Sequence, residues 1–316
     1  MTIKYLIFAT SLLFFASCNN QDEFYDDYDS YSEEDENYPD DGGYDNNDNS
    51  NTGSSNGEEG ALTLYKVNGN ELIKVKDFNV GSSLLSYQQN VAKHMEMWDF
   101  YTRLIPAENR SRIVEFEVFY GNNDLAGYVE PINENDLSKW KMGLAIEAAE
   151  NTTDIDFSNF FTYLTVHEFG HVLTLNETQV NVFQDNCPEY HTGEGCSNGN
   201  SYINQLYELG WEDIANELQD GQGSEDLYNR YSDRFVSDYA ATNPGEDIAE
   251  VFATFIIQPK PGGNSIANQK VNQLYERSEL VALRNKIIHQ NPTLQSEGLM
   301  TRSWAKKFKF KCGHKH

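Results

Sequence analysis

Thr165-Val166-His167-Glu168-Phe169-Gly170-His171-Val172-Leu173 is the stretch on which the fold of this chain turns. A helix is predicted around it, from about Phe157 to Val172, with Asp154 or Asp156 as its cap. Residues four apart on a helix share a face, so His167 and His171 aim two imidazole nitrogens at one point, with Glu168 beside it. Phe161, Leu164 and Val172 are available for the core, which makes the helix amphipathic. Two imidazoles at this spacing suit a divalent metal, and a catalytic zinc would need a third protein ligand and one open position.

The pentapeptide is the HExxH arrangement of zinc peptidases. Where the third ligand lies is less direct. A metzincin layout would place glycine at 174 and histidine at 177, but the chain has Thr174 and Glu177. A thermolysin-like layout expects a helical glutamate about twenty residues on. That region is a loop between Cys187 and Cys196, which makes Glu189 and Glu194 poor candidates. Further along runs Tyr239-Ala240-Ala241-Thr242-Asn243-Pro244-Gly245-Glu246-Asp247-Ile248-Ala249-Glu250. Asn243 followed by Pro244 starts a helix well. Glu246 and Glu250 then fall one turn apart on one face, and by spacing alone either could be the ligand. Asp247 reads as an exposed first-turn acid that complements the helix dipole.

At these two segments the sequence resembles the catalytic domain of anthrax lethal factor and the related secreted Pro-Pro endopeptidases. In that family an HExxH helix is followed by a tyrosine, a glutamate, and then Ala-Glu, at the spacing seen here in Tyr239, Glu246, Ala249 and Glu250. The resemblance implies a zincin-like fold and one Zn2+ per chain. It implies that Glu246 is the third zinc ligand and Tyr239 the active-site tyrosine, with Glu250 supporting a zinc-binding histidine from behind. The connection from His171 to Glu246 is longer here than in the family and contains the Cys187 to Cys196 loop.

The chain of 316 residues opens on Met1-Thr2-Ile3-Lys4 and an apolar run ending at Ala16, too short to span a bilayer and expected to be a signal peptide. Phe15-Ala16-Ser17-Cys18 resembles the lipobox of bacterial lipoproteins, which implies a signal peptide over 1–18, an acylated Cys18 and a lipid anchor in the cell envelope. Residues 19–60 hold 15 acidic and no basic residues, so this segment cannot bury a core and is expected to be an extended, self-repelling tether. Residues 61–316 carry 35 acidic against 22 basic residues, a balance that argues against nucleic acid as a partner. In an exported protein, Cys187 and Cys196 around a Pro- and Gly-containing loop are expected to form a local disulfide. A metal site built on those thiols and His191 would lack a fourth ligand.

An Asn68-Gly69-Asn70 turn between Leu62–Val67 and Leu72–Val75 predicts a hairpin. A helix is expected over 82–104, strands over Ile113–Phe119 and Trp140–Ile146, and helices near 200–209, 224–237, 246–257 and 266–289. Helices and strands do not alternate regularly, so residues 61–316 are read as one α+β domain: a small sheet and active-site helix, then a mostly helical C-terminal part. Lys141–Ile146 is the candidate edge strand for pairing an extended substrate. The basic tail Lys306–His316 alternates like an edge strand, although a solvated terminus is the simpler expectation.

The expected function is a zinc-dependent endopeptidase acting on extracellular polypeptides, with Glu168 as general base and Tyr239 as a donor to the developing oxyanion. The alternative is a surface binding lipoprotein, an adhesin or a nutrient-capture protein, that holds zinc without turnover. Glu168 argues against it, because a structural site has no use for a general base.

Overall fold

The computed structural model describes residues 60–220 and 224–295 and the backbone of 311–314. The expected signal peptide, Cys18 and the acidic stretch 19–59 lie outside the described residues. The unit from Gly57 to His316 has mixed α and β structure.

It opens with a hairpin of β1 (Ala61–Asn68) and β2 (Glu71–Asp77), turning at Gly69, whose φ of 64° is the left-handed conformation that favours glycine. The helix expected over 82–104 is two, α1 (Leu85–Gln88) and α2 (Val91–Leu104). The break falls at Asn90, whose side chain accepts a hydrogen bond from the Lys93 N–H and so starts α2 afresh. Gln88 then fastens this segment to the sheet by donating to the Leu62 and Phe78 carbonyls, and Trp98 donates to that of Asn70.

Strands β3 (Ile113–Phe119), β4 (Leu125–Asn133) and β5 (Asp136–Ala145) follow. Their sheet runs in the order β2-β1-β3-β5-β4, with β3 and β5 parallel and the other neighbours antiparallel. Two expectations need correction here. Lys141–Ile146 does not form an edge: β5 lies between β3 and β4, and Ile146 already belongs to a 3-10 turn. The strand beyond it is β4, which the sequence hid because Gly127 and Pro131 are poor strand residues.

Helix α3 (Phe160–Leu175) carries the His-Glu motif. Its cap is Asn159, which accepts from the Phe161 N–H, and neither Asp154 nor Asp156. Nor is the helix amphipathic. Every residue but Leu173 is buried, because one side meets β4 and β5 and the other meets α6. Burial of side chains such as Phe161, Leu164 and Phe169 stabilises the fold by about 1.5–3 kcal/mol each.

After α3 a short ladder of β6 (Val180–Asn181) and β7 (Cys196–Ser197) closes the loop that the Cys187–Cys196 disulfide spans. The helical part comprises α4 (Tyr202–Gly210), α5 (Ser224–Arg230), α6 (Pro244–Ile257), α7 (Ile266–Tyr275) and α8 (Ser278–Gln290). The helix expected to 237 stops at Arg230, and the span 266–289 is broken at Glu276 and Arg277. Last in the chain, β8 (Lys311–His314) adds to β4 in parallel, so that the basic tail supplies the final strand of the sheet.

Candidate metal centre

Two helices crossing at Gly170 bring the site together. A Cβ on Gly170 would lie 3.1 Å from the Phe252 ring and 3.3 Å from the Ala249 Cα, so the missing side chain lets α3 and α6 approach a few tenths of an ångström closer than a larger residue would. Helix α6 starts where Asn243 accepts from the Glu246 N–H, with Pro244 in the first position. That start fixes Glu246 in the first turn, facing the two histidines.

His167, His171 and Glu246 thus form one buried group able to hold a metal ion. The His167 Nε2 lies 3.1 Å from the His171 Nε2 and 3.1 Å from the Glu246 Oε2, and the His171 Nε2 is 3.4 Å from the same carboxylate oxygen. Ligands at the 2.0–2.1 Å bond lengths of zinc stand about 3.3 Å apart along a tetrahedron's edges. The three atoms match one face of such a tetrahedron. Two imidazole nitrogens and a carboxylate oxygen, all buried and converging at this spacing, are the donor types and the geometry that a zinc ion takes, so the donor set fits a metal ion.

Electrostatics point the same way. Burial works to lower the His167 pKa, but hydrogen bonds and charge from Glu246 and Glu250 outweigh it and push the pKa up to about 10. Burial works to raise the Glu246 pKa, yet the His171 and His167 rings hold the carboxyl well below the usual range. The pocket is built to stabilise positive charge.

Behind His167 stands a second tier. Glu250 Oε1 lies 2.8 Å from the His167 Nδ1, leaving the Nε2 to face the centre. Two residues that sequence reasoning missed hold Glu250: the Tyr163 hydroxyl donates to its Oε1, and the Ser237 hydroxyl donates to its Oε2 at 2.5 Å. Tyr163 was findable, since it precedes His167 by one turn on the same face. Ser237 carried no such signal, because it sits in an irregular segment.

Glu168 is fully buried, and its carboxylate meets β4: a Cβ on Gly127 would come within 2.8 Å of the Oε1. Tyr239, in a 3-10 turn just before α6, places its ring 5.9 Å from that of His167. All six residues are therefore gathered at one place. Asp247 is a correction. It is fully buried, paired with Lys270 of α7 and accepting from the Trp211 Nε1 at 2.7 Å. Burial pushes the Asp247 carboxyl up and the Lys270 ammonium down, against their mutual attraction.

Compared with known proteins, the chain matches no family model, and no curated protein or solved structure shows significant similarity to it.

Proposed function

We propose that the chain is a zinc metalloendopeptidase of zincin-like fold, exported and anchored to the cell envelope through Cys18, that hydrolyses peptide bonds of extracellular polypeptides. The observation that carries this is the triangle of His167, His171 and Glu246 side-chain atoms, with a buried carboxylate, Glu168, on the residue next to the first ligand. A sheet over the motif helix, followed by a helical part that returns the third ligand, is consistent with the zincin arrangement.

When bound there, zinc supplies Lewis-acid polarisation of a carbonyl and an acidified water. The chain's own residues do the rest. Glu168 takes a proton from the attacking water and delivers it to the leaving amine nitrogen. Tyr239 offers its hydroxyl as a hydrogen-bond donor where negative charge grows on the carbonyl oxygen. Glu250 holds the His167 ring in the tautomer that presents Nε2.

Wild-type protein incubated with peptide libraries should cleave them, and a chelator should stop it. Glu168→Gln should keep about one zinc per chain while turnover falls about 100-fold or more. A zinc-loaded wild type that cleaves no peptide, or a Glu168→Gln variant that turns over normally, sinks the reading. Radiolabelled fatty acid should enter wild type and not Cys18→Ala.

A further inference from the structure

The outer edge of β4 borders the metal centre, since the Gly127 backbone lies against Glu168. A sheet edge beside such a centre is a surface on which an extended peptide can pair through main-chain hydrogen bonds. In this structure that edge is taken by the chain itself. β8 runs parallel to β4, with Lys311 opposite Leu125, Cys312 opposite Gly127, Gly313 opposite Tyr128 and His314 opposite Val129. It also packs against α3. The residue opposite Gly127 is therefore one strand removed from Glu168, on the side from which a substrate strand would approach.

Charge agrees with this placement. Residues 306–316 contain five lysines and no acid. At one end of the paired stretch a cavity of about 490 Å3 is lined by Glu117 and Asp124. At the other a cavity of about 430 Å3, between the β4–β5 turn and the disulfide loop, is lined by Glu130, Glu134 and Glu194. Lys141 pairs with both Glu117 and Glu130 across the strands between these cavities.

We propose that the edge of β4 is a strand-docking surface whose resident occupant is the chain's own β8, Lys311–His314, and that this strand competes with substrate for the edge. The competition rests on the peptidase reading; the docking itself does not. Pairing by main-chain hydrogen bonds is tolerant of sequence, and a lysine-rich, acid-free composition sets this segment apart from acidic ones. A tethered strand acts at an effective concentration on the order of 1 mM, so against an intrinsic affinity of about 100 µM it lowers access roughly tenfold.

Three full-length or near-full-length forms separate the possibilities: wild type, a variant with Lys306, Lys307, Lys309, Lys311 and Lys315 all changed to Glu, and a chain ending at Ala305. Amide hydrogen exchange over 125–129, which needs no turnover, should quicken about tenfold in both altered forms. A synthetic peptide of residues 306–316 added to the shortened chain should restore protection. With a fluorogenic peptide substrate, kcat/KM should rise about tenfold in both and fall again with the added peptide. Unchanged exchange overturns the docking, whereas faster exchange with unchanged kcat/KM in an active enzyme overturns the competition. If no form cleaves any peptide while exchange responds as stated, docking stands and the peptidase reading falls. A melting transition retained in each form excludes unfolding as the cause.

Discussion

Glu250 accepts a hydrogen bond from the face of His167 that points away from the metal centre, 2.8 Å between Oε1 and Nδ1, across two helices that share no sequence neighbourhood. The contact settles which imidazole nitrogen faces inward and raises its basicity. Glu250→Gln keeps the shape but removes the charge, and it also weakens the acceptor that Tyr163 and Ser237 serve. Zinc affinity should drop about 10–100-fold, equal to about 1.4–2.8 kcal/mol, in a competitive chelator titration. An affinity unchanged within twofold would show that Glu250 does not set the ring.

Gly127 lies against the Glu168 carboxylate. Because what a new Cβ would strike is the buried Glu168 side chain and not backbone, Gly127→Ala should fold, at an overpacking cost of about 1–3 kcal/mol. The carboxylate must move aside, however. We expect zinc content to stay at the wild-type level while kcat falls at least tenfold, since a displacement near 1 Å can cost about 100-fold. Equal turnover in the two proteins would place the general base elsewhere.

At Gly170 the obstruction is backbone. The Ala249 Cα cannot yield without moving α6, so Gly170→Val should force α3 and α6 apart and cost about 1–3 kcal/mol by overpacking. Because Glu246 rides on α6 and the histidines on α3, zinc retention should fall together with the melting temperature. Loss of stability with full zinc affinity would mean that the crossing does not gauge the site.

What the sequence revealed follows from how far each signal reaches. His167 and His171 are legible because helical periodicity is local, and Asn243-Pro244 marks the start of the helix that carries Glu246 and Glu250, although spacing alone left those two equal and only the family resemblance singled out Glu246. Asp247 was misread for the same reason. Its first-turn position is a local fact, whereas its burial depends on Trp211 and Lys270, which only the packing of α4, α6 and α7 brings near. Strand order is equally non-local. The β-rich pattern of Lys141–Ile146 reports a strand without reporting its neighbours, and β4 joins the sheet despite Gly127 and Pro131 because pairing with β5 supplies what its propensity lacks.

Arg112, at the start of β3, holds Glu177 just past α3 with two hydrogen bonds, of 2.9 and 2.6 Å. Those bonds keep the Glu177 carboxyl below its ordinary pKa. A depressed carboxylate contributes stability above its unfolded pKa, near 4.3, and the contribution is lost as pH falls through the lower folded value. The pair is partly exposed, so its worth is at most about 1 kcal/mol. Wild type should therefore melt a few degrees above Glu177→Gln at pH 7, and the two should converge towards pH 3. A difference that persists at pH 3 would assign the effect to shape and not to charge.

Lys270 and Asp247 are both fully shielded from solvent, and Asp247 follows Glu246 directly on α6. Removing the ammonium alone strands a carboxylate that burial already pushes towards neutrality, so Lys270→Met should cost about 3–5 kcal/mol. For a unit of this size that lowers the melting temperature by about 10 °C or more. Adding Asp247→Asn removes the stranded charge while an amide oxygen still accepts from the Trp211 indole, so the double variant should recover most of the loss. Since the pair anchors the first turn that carries Glu246, the single variant should also bind zinc more weakly, and the double variant should regain that affinity. Recovery of stability without recovery of zinc binding would show that the ion pair orients Glu246 through its charge and not merely by holding the turn in place.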